Sequence, residues 1–316
     1  MPSSWADSET DNTRLISIGL MCSAIISFAF LDATAKYIVT VAALPVLQVA
    51  WFRFFSHAVL NVVVFGPRPV FRAFRSSRPW LQIFRGILLF STTALNFAAL
   101  RYLQLDVIAT MFFLSPFIVA ILAGPILGEW IGWRRLIAIM VGFSGVLLVV
   151  RPGFGGVHWA IIYSFGATIV YAAYAVITRY LARHDSTLVT QIHTPLAGTI
   201  LLFPVAAYFW TWPTDVLTWV LLFMTGTIGG FGHFLLITAH RNTPAPILAP
   251  FTYIGLIFQT ALGYIVFSDV PSVWTLAGGA VIVGSGLYLL YRERTVGPRS
   301  KSKLAENETS LRPPTI

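Results

Sequence analysis

The sequence predicts an all-α integral membrane protein of ten transmembrane helices, built as two inverted five-helix repeats. Three observations carry that expectation. The 316 residues are 57% hydrophobic and only 10% charged, with a mean hydropathy of +0.77. A soluble domain carries roughly 25% charged residues, so this chain lacks the polar surface to face water on every side. Its apolar stretches run to about 20 residues, the length that crosses a bilayer core, and backbone groups in lipid must be satisfied within the span, which calls for helices. Finally, the fifth stretch recurs in the tenth: Trp133, Ser144, Gly145 and Arg151 return 141 positions later as Trp274, Ser285, Gly286 and Arg292.

Ten spans follow from the apolar stretches, at about 15–39, 45–65, 80–100, 105–127, 133–150, 157–181, 187–210, 216–239, 245–267 and 272–291. Breakers separate them: Pro45, the Gly-Pro-Arg-Pro run from Gly66 to Pro69, Pro152 with Gly153, Trp212 with Pro213, Pro244 and Pro271. A polar tail, 1–14, precedes the first repeat at 15–151. The second repeat occupies 157–291, and the basic tail 292–316 is expected to be disordered. The segment from Met1 to Asn12 is polar, and the apolar run after Arg14 is too long for the core of a cleavable signal peptide.

The basic residues orient the chain. Sixteen of them, including Arg68, Arg72, Arg75 and Arg78, Arg134 and Arg135, Arg179 and Arg183, and the tail cations, fall on one side; Arg101 and Arg151 fall on the other. The positive-inside rule makes the first side, and both termini, cytoplasmic. The net charge of +9 is thereby read as a topology signal, since the basic residues form no nucleic-acid-binding module. One cysteine, Cys22, excludes an internal disulfide and a cysteine metal cluster. Leu-Ser-Pro-Phe at 114–117 echoes Leu-Ala-Pro-Phe at 248–251. Five helices per repeat is odd, so the copies must cross the membrane in opposite orientation, as in secondary transporters with a substrate site near the midplane between the halves.

Several segments resemble a known family. Thr110 to Pro116, Leu127-Gly128-Glu129, Trp133 with two arginines, and Gly142 to Gly153 are similar to the first repeat of EamA-type proteins of the bacterial drug/metabolite transporter superfamily. Gly229 to Leu236, Leu248 to Tyr253, and Gly284 to Glu293 resemble the second. Riboflavin-uptake and S-adenosylmethionine-uptake members are the most similar in arrangement, and aromatic amino acid exporters are more distant. The resemblance implies a cavity lined by spans 1, 3, 4, 6, 8 and 9, with 5 and 10 peripheral. Sugar-phosphate relatives depend on membrane lysines in the second half, whereas here no lysine lies between Lys36 and Lys301, which argues against a phosphorylated substrate.

Candidate chemistry lies in the few polar residues within spans. Asp32 and Lys36 are four apart, hence on one helical face, and Arg53 should reach a similar depth. Intramembrane charges are costly and normally paired, so these three form either a locking ion cluster or a site where Asp32 takes up protons or contacts substrate. Arg85, Thr92 and Asn96 make a polar stripe on the third span; Asn96 is deep enough for substrate contact, while Arg85 either joins it or snorkels to the interface. Tyr163, Tyr171 and Tyr174 share a face of the sixth span. Tyr171 and Tyr174 suit stacking on a planar guest, and Tyr163 suits an interfacial belt.

His233 sits among glycines that permit close helix approach, either as a packing residue or as a ligand contact. Tyr253 and Gln259 follow Pro250 on a span that the resemblance places beside the cavity. Pro116 and Pro250 each remove a helical hydrogen bond and should kink their spans. Gly142, Gly145, Gly284 and Gly286 are expected to pack helices closely. Gly142-Phe143-Ser144-Gly145 formally matches an intramembrane serine protease motif, but the recurrence of the serine as Ser285 favours packing over catalysis.

The reading is therefore a secondary transporter of a small organic metabolite across the inner membrane, and not an enzyme. Asp32 against Lys36, Arg53 and Arg85 leaves the spans positive, which suits a neutral or anionic solute, riboflavin above all. Export of amino acids or opine-like metabolites, uptake of S-adenosylmethionine, and a receptor or scaffold role are the alternatives. The expected partners are a small-molecule substrate and the lipid bilayer, with a homodimer left open; no cofactor, metal or nucleic acid is expected.

Overall fold

A computed structural model of the chain describes residues 4–127, 133–150, 158–181, 184–242 and 254–288, together with positions 248, 251, 252 and 291. Among the described residues the regular structure is entirely helical. The helices are α1 (Ser4–Thr40), α2 (Val46–Phe65), α3 (Pro67–Ala73), α4 (Pro79–Leu100), α5 (Leu105–Phe112), α6 (Ser115–Leu127) and α7 (Trp133–Val150). They continue with α8 (Ile161–Leu181), α9 (Thr187–Leu201), α10 (Phe203–Tyr208), α11 (Val216–Asn242) and α12 (Ile254–Phe267), followed by α13 (Val273–Tyr288). Five stretches are long and apolar enough to cross a membrane: Leu15–Thr40, Val46–Phe65, Pro79–Leu100, Ile161–Leu181 and Val216–Ala239. The chain is a multi-pass membrane protein.

Two expected spans are divided instead of continuous, and proline chemistry explains both. The fourth breaks at Phe113 and Leu114, where Leu114 N–H reaches back only to the Met111 carbonyl, and α6 restarts at Ser115. Pro116 thus stands in a first helical turn, where its missing N–H costs nothing, and not as a kink inside a running helix. The seventh span breaks at Leu202, and α10 begins at Phe203 with Pro204 in its first turn. Pro250 and Tyr253 lie outside the described residues.

The helices of the two halves of the sequence interleave. α1 runs along α11, α4 packs on α8 and α9, and α2 lies between α9 and α11. Glycines make the tightest of these approaches. A Cβ on Gly226 would collide with the Ser56 hydroxyl and the Arg53 carbonyl oxygen, and one on Gly230 would meet the His57 ring at 2.7 Å, so α11 touches the backbone of α2. Dispersion and small-residue contact, not water exclusion, hold helices together in lipid. Gly145 and Gly278 do the same for α7 and α13: a Cβ on Gly145 would lie 2.7 Å from the Gly278 carbonyl.

The expected glycine packing is uneven. Gly142 faces Phe117 and Ser285, whereas Gly284 has open space where a Cβ would go, and Gly286 is buried. The repeated serines differ as well. Both hydroxyls donate to the carbonyl three residues back, Ser144 to Val141 at 2.7 Å and Ser285 to Ile282 at 2.8 Å, but Ser285 is buried and Ser144 exposed, so the recurrence does not reflect two equivalent packing contacts.

Candidate functional site

A cavity of about 420 Å³ opens among these helices. Its walls come from α1, α4, α5, α6, α8, α11 and α12, joined by Arg53 of α2 and by Thr252. The rings of Phe28, Phe97, Phe112, Phe113 and Tyr171 line it, so most of the wall is aromatic or aliphatic, with a small polar group set into it. That is the usual make-up of a small-molecule site.

Asp32 is the centre of the polar group. Its Oδ1 accepts a hydrogen bond from Asn96 Nδ2 at 2.9 Å, and its Oδ2 accepts one from Gln259 Nε2, also at 2.9 Å. Thus α4 and α12 converge on one carboxylate of α1. The carbonyl oxygens of the same two amides, Asn96 Oδ1 and Gln259 Oε1, are buried without a hydrogen-bond partner. Arg53 lines the cavity too and donates from Nη1 to the Thr93 hydroxyl, with the rings of Phe54 and Phe97 near its guanidinium. His233 completes the wall: its ring meets Phe28 edge-on at 5.1 Å and stacks at 6.3 Å on His57. Behind it, His57 Nε2 lies 3.0 Å from Gln191 Nε2.

The expected cluster of Asp32, Lys36 and Arg53 is not formed as such. Lys36 turns away from Asp32 and pairs with Asp269 at 2.5 Å, its ammonium 4.6 Å from the centre of the Phe267 ring. Asp269 follows α12, and Asp106 at the start of α5 is buried nearby with Oδ2 unpartnered. The four-residue spacing does put Asp32 and Lys36 on one side of α1. The long lysine stem then carries its charge to a carboxylate from far along the chain. By formal charge Lys36, Arg53 and Arg85 stand against Asp32, Asp106 and Asp269, so the positive excess that favoured a neutral or anionic solute is absent.

Arg85 does not snorkel. It is wholly buried, with Nε on Gln82 Oε1 at 3.1 Å, Nη1 on the Tyr174 hydroxyl at 3.2 Å, and Nη2 on the Thr190 carbonyl and Thr194 hydroxyl at 2.8 and 2.9 Å. Tyr174 is consequently turned from the cavity wall to Arg85, whose guanidinium carbon lies 5.4 Å from the centre of its ring. Tyr171 lines the cavity alone, 5.7 Å from Phe112. Tyr163 packs on Trp159, in keeping with an interfacial place.

Gln82 extends the Arg85 network to Asp185 at 2.8 Å, in the turn between α8 and α9. Asp185 also accepts from the Ser76 hydroxyl and from the Ser77 backbone N–H and hydroxyl. Partial burial pushes this carboxyl up, but the bonds from Ser76, Gln82 and Ser77 together outweigh it and hold the group well below the usual carboxylate range.

Sequence reasoning missed Asp269, Thr93, His57 and Gln191. His57, Thr93 and Gln191 carried a signal as polar residues within apolar stretches, Thr93 being one residue from the polar stripe through Thr92 and Asn96.

The family model of the EamA-like transporter family matches twice, at 15–151 and 158–292. The chain is 28% identical over 285 residues to an S-adenosylmethionine uptake transporter of Rickettsia bellii, covering 89% of this chain and 96% of that protein. It is 25% identical over 283 residues to a riboflavin transporter of Brucella anthropi, at 86% and 98% coverage. It is 26% identical over 280 residues to a pseudopaline exporter of Pseudomonas aeruginosa, at 85% and 94%. One solved crystal structure superimposes with a TM-score of 0.59 over 90% of this chain and 99% of its own, at 18% identity, a likeness that speaks to the fold alone. The relatives are named as carriers of small metabolites, and the chain belongs to the EamA-like transporter family.

Proposed function

We propose that this protein is a secondary transporter that moves a small metabolite bearing a flat heteroaromatic ring across the inner membrane. Ten spans in two inverted five-helix halves, 15–151 and 157–291, would rock about the cavity to expose it to each side in turn, with both termini cytoplasmic. The observation that carries the reading is the cavity: its walls draw on both matched halves of the chain, and five aromatic rings face a space of about 420 Å³. Aromatic faces stack on flat guests, and both riboflavin and S-adenosylmethionine, named for the relatives above, present such a ring.

Asn96, Gln259 and His233 would supply polar contacts, Tyr171 a stacking face, and Asp32 the coupling or recognition charge. Tyr253 and Pro250 remain candidates on the sequence alone. Lys36 with Asp269 would close one end of the pathway by tying α1 to the segment after α12.

Reconstitution into liposomes tests this reading with radiolabelled riboflavin, S-adenosylmethionine and a set of amino acids. Saturable uptake of a ring-bearing solute is expected. Flux that rises linearly with concentration would mark a channel, and no flux of any of these solutes would overturn the assignment.

A further inference from the structure

The polar group at Asp32 has an orientation imposed by charge. Asn96 and Gln259 each turn an NH2 toward the carboxylate. Rotating either amide would set a carbonyl oxygen against a carboxylate oxygen, so both C=O groups are forced away from Asp32. The result is two buried acceptors without partners, Asn96 Oδ1 and Gln259 Oε1, on two residues that line the cavity on either side of an anion. A guest that satisfies them must bring N–H or O–H donors. Positive charge on those donors would suit the carboxylate between them.

An ammonium meets both needs with three donors and no acceptor. Arg53 provides the complement. It lines the same cavity. A guanidinium has five N–H donors, and the Arg53–Thr93 bond engages Nη1, while Nε and Nη2 lie beside Gly229 of α11; these are the donors a guest carboxylate would take up.

We propose that Asp32, Asn96 Oδ1, Gln259 Oε1 and Arg53 form a subsite for an α-amino-acid head, the ammonium on the two amide oxygens and the carboxylate on Arg53. The inference rests on the transporter reading above and narrows its substrate class: the transported metabolite joins a zwitterionic amino-acid head to an apolar or aromatic body. S-adenosylmethionine and opine-like solutes have such a head, and riboflavin does not.

Equilibrium binding to the purified full-length chain separates the head from the ring. Radiolabelled S-adenosylmethionine is the probe, with S-adenosylhomocysteine (head and ring), methylthioadenosine (the same ring, no head) and riboflavin as competitors. S-adenosylhomocysteine should displace the probe at concentrations at least about tenfold lower than methylthioadenosine, because buried acceptors penalise a guest that leaves them unpaired. Gln259→Leu, which removes one acceptor, should shrink that ratio severalfold. The wild-type ratio stands as a test even where the variant does not fold.

Methylthioadenosine competing as well as S-adenosylhomocysteine, or labelled riboflavin binding while S-adenosylmethionine does not, would overturn the head subsite and leave the ring-binding transporter intact. Binding of none of the four would overturn both.

Discussion

Two buried polar centres flank the same helix, α4, and they are finished differently. Around Arg85, each guanidinium nitrogen has an acceptor, drawn from α4 itself, α8 and α9. Around Asp32, the carboxylate is equally well held by α4 and α12, yet the groups that hold it keep two acceptors unpaired. Leaving a buried acceptor unpaired costs about 1–3 kcal/mol, and folded proteins seldom do so without a reason. A completed network ties helices together; an incomplete one on residues that line a cavity leaves acceptors for something that arrives. On this contrast we read Arg85 as a clamp among α4, α8 and α9 and propose Asp32 as the site.

The largest effect should come from breaking the clamp. Arg85→Met removes the donor from Gln82 Oε1 and from the Tyr174 and Thr194 hydroxyls, and a loss of roughly 3 kcal/mol or more is expected for dismantling one side of a buried charged network. Thermal unfolding in detergent should show a clear drop in midpoint and a poor folded yield. Uptake per folded molecule should survive better than stability. Near-normal stability with abolished uptake would make Arg85 part of the site instead.

Tyr171 and Tyr174 sharpen the comparison within one helix. Tyr171→Ala should weaken binding of a ring-bearing solute roughly tenfold, since an aromatic pair contributes about 0.5–1.5 kcal/mol beyond its area and about 1.4 kcal/mol is a factor of ten; Tyr171→Phe should be close to wild type. Tyr174→Phe removes only the hydroxyl that receives the Arg85 bond. It should cost on the order of 1 kcal/mol of stability and leave binding unaltered. Equal loss of binding in both would mean that the clamp and the site are not separable.

The smallest effect is at the periphery of the clamp. The Asp185 carboxyl is held below its ordinary value in the folded protein, so its contribution is fully present above the unfolded value of about 4 and is lost as pH falls through the lower folded one. The stability difference between wild type and Asp185→Ala should therefore be flat from pH 5 to 8 and shrink only in acid, as read by thermal unfolding. A difference that changes near neutrality would assign the titration to another group.

Much of the fold was legible because hydropathy and breakers report the membrane directly. Where the spans divide, at Phe113–Leu114 and at Leu202, the prolines that permit the restart were visible, but not that the helix would stop before them. The site was legible in its members and not in its pairings. Asp32, Asn96 and Gln259 stood out as rare polar residues within apolar runs, since lipid cannot satisfy them. That Lys36 would leave Asp32 for Asp269 depends on a contact 233 residues distant in sequence, which no local spacing encodes. Tyr171 and Tyr174 lie within one arc of a helix, and that arc spans both the cavity and the Arg85 network, so helical periodicity could not tell a wall residue from a clamp residue.

The central claim, that the Asp32 centre receives solute and the Arg85 centre does not, is tested most directly by saturable uptake of radiolabelled S-adenosylmethionine into proteoliposomes carrying wild type or Asp32→Asn, normalised to folded protein. Asp32→Asn keeps the shape and two polar atoms while removing the charge that orients both amides. Uptake by the variant should fall at least about tenfold, the factor that about 1.4 kcal/mol of lost interaction produces, with the unfolding midpoint far less displaced than in Arg85→Met. Uptake at the wild-type rate in a stably folded Asp32→Asn protein would contradict the account.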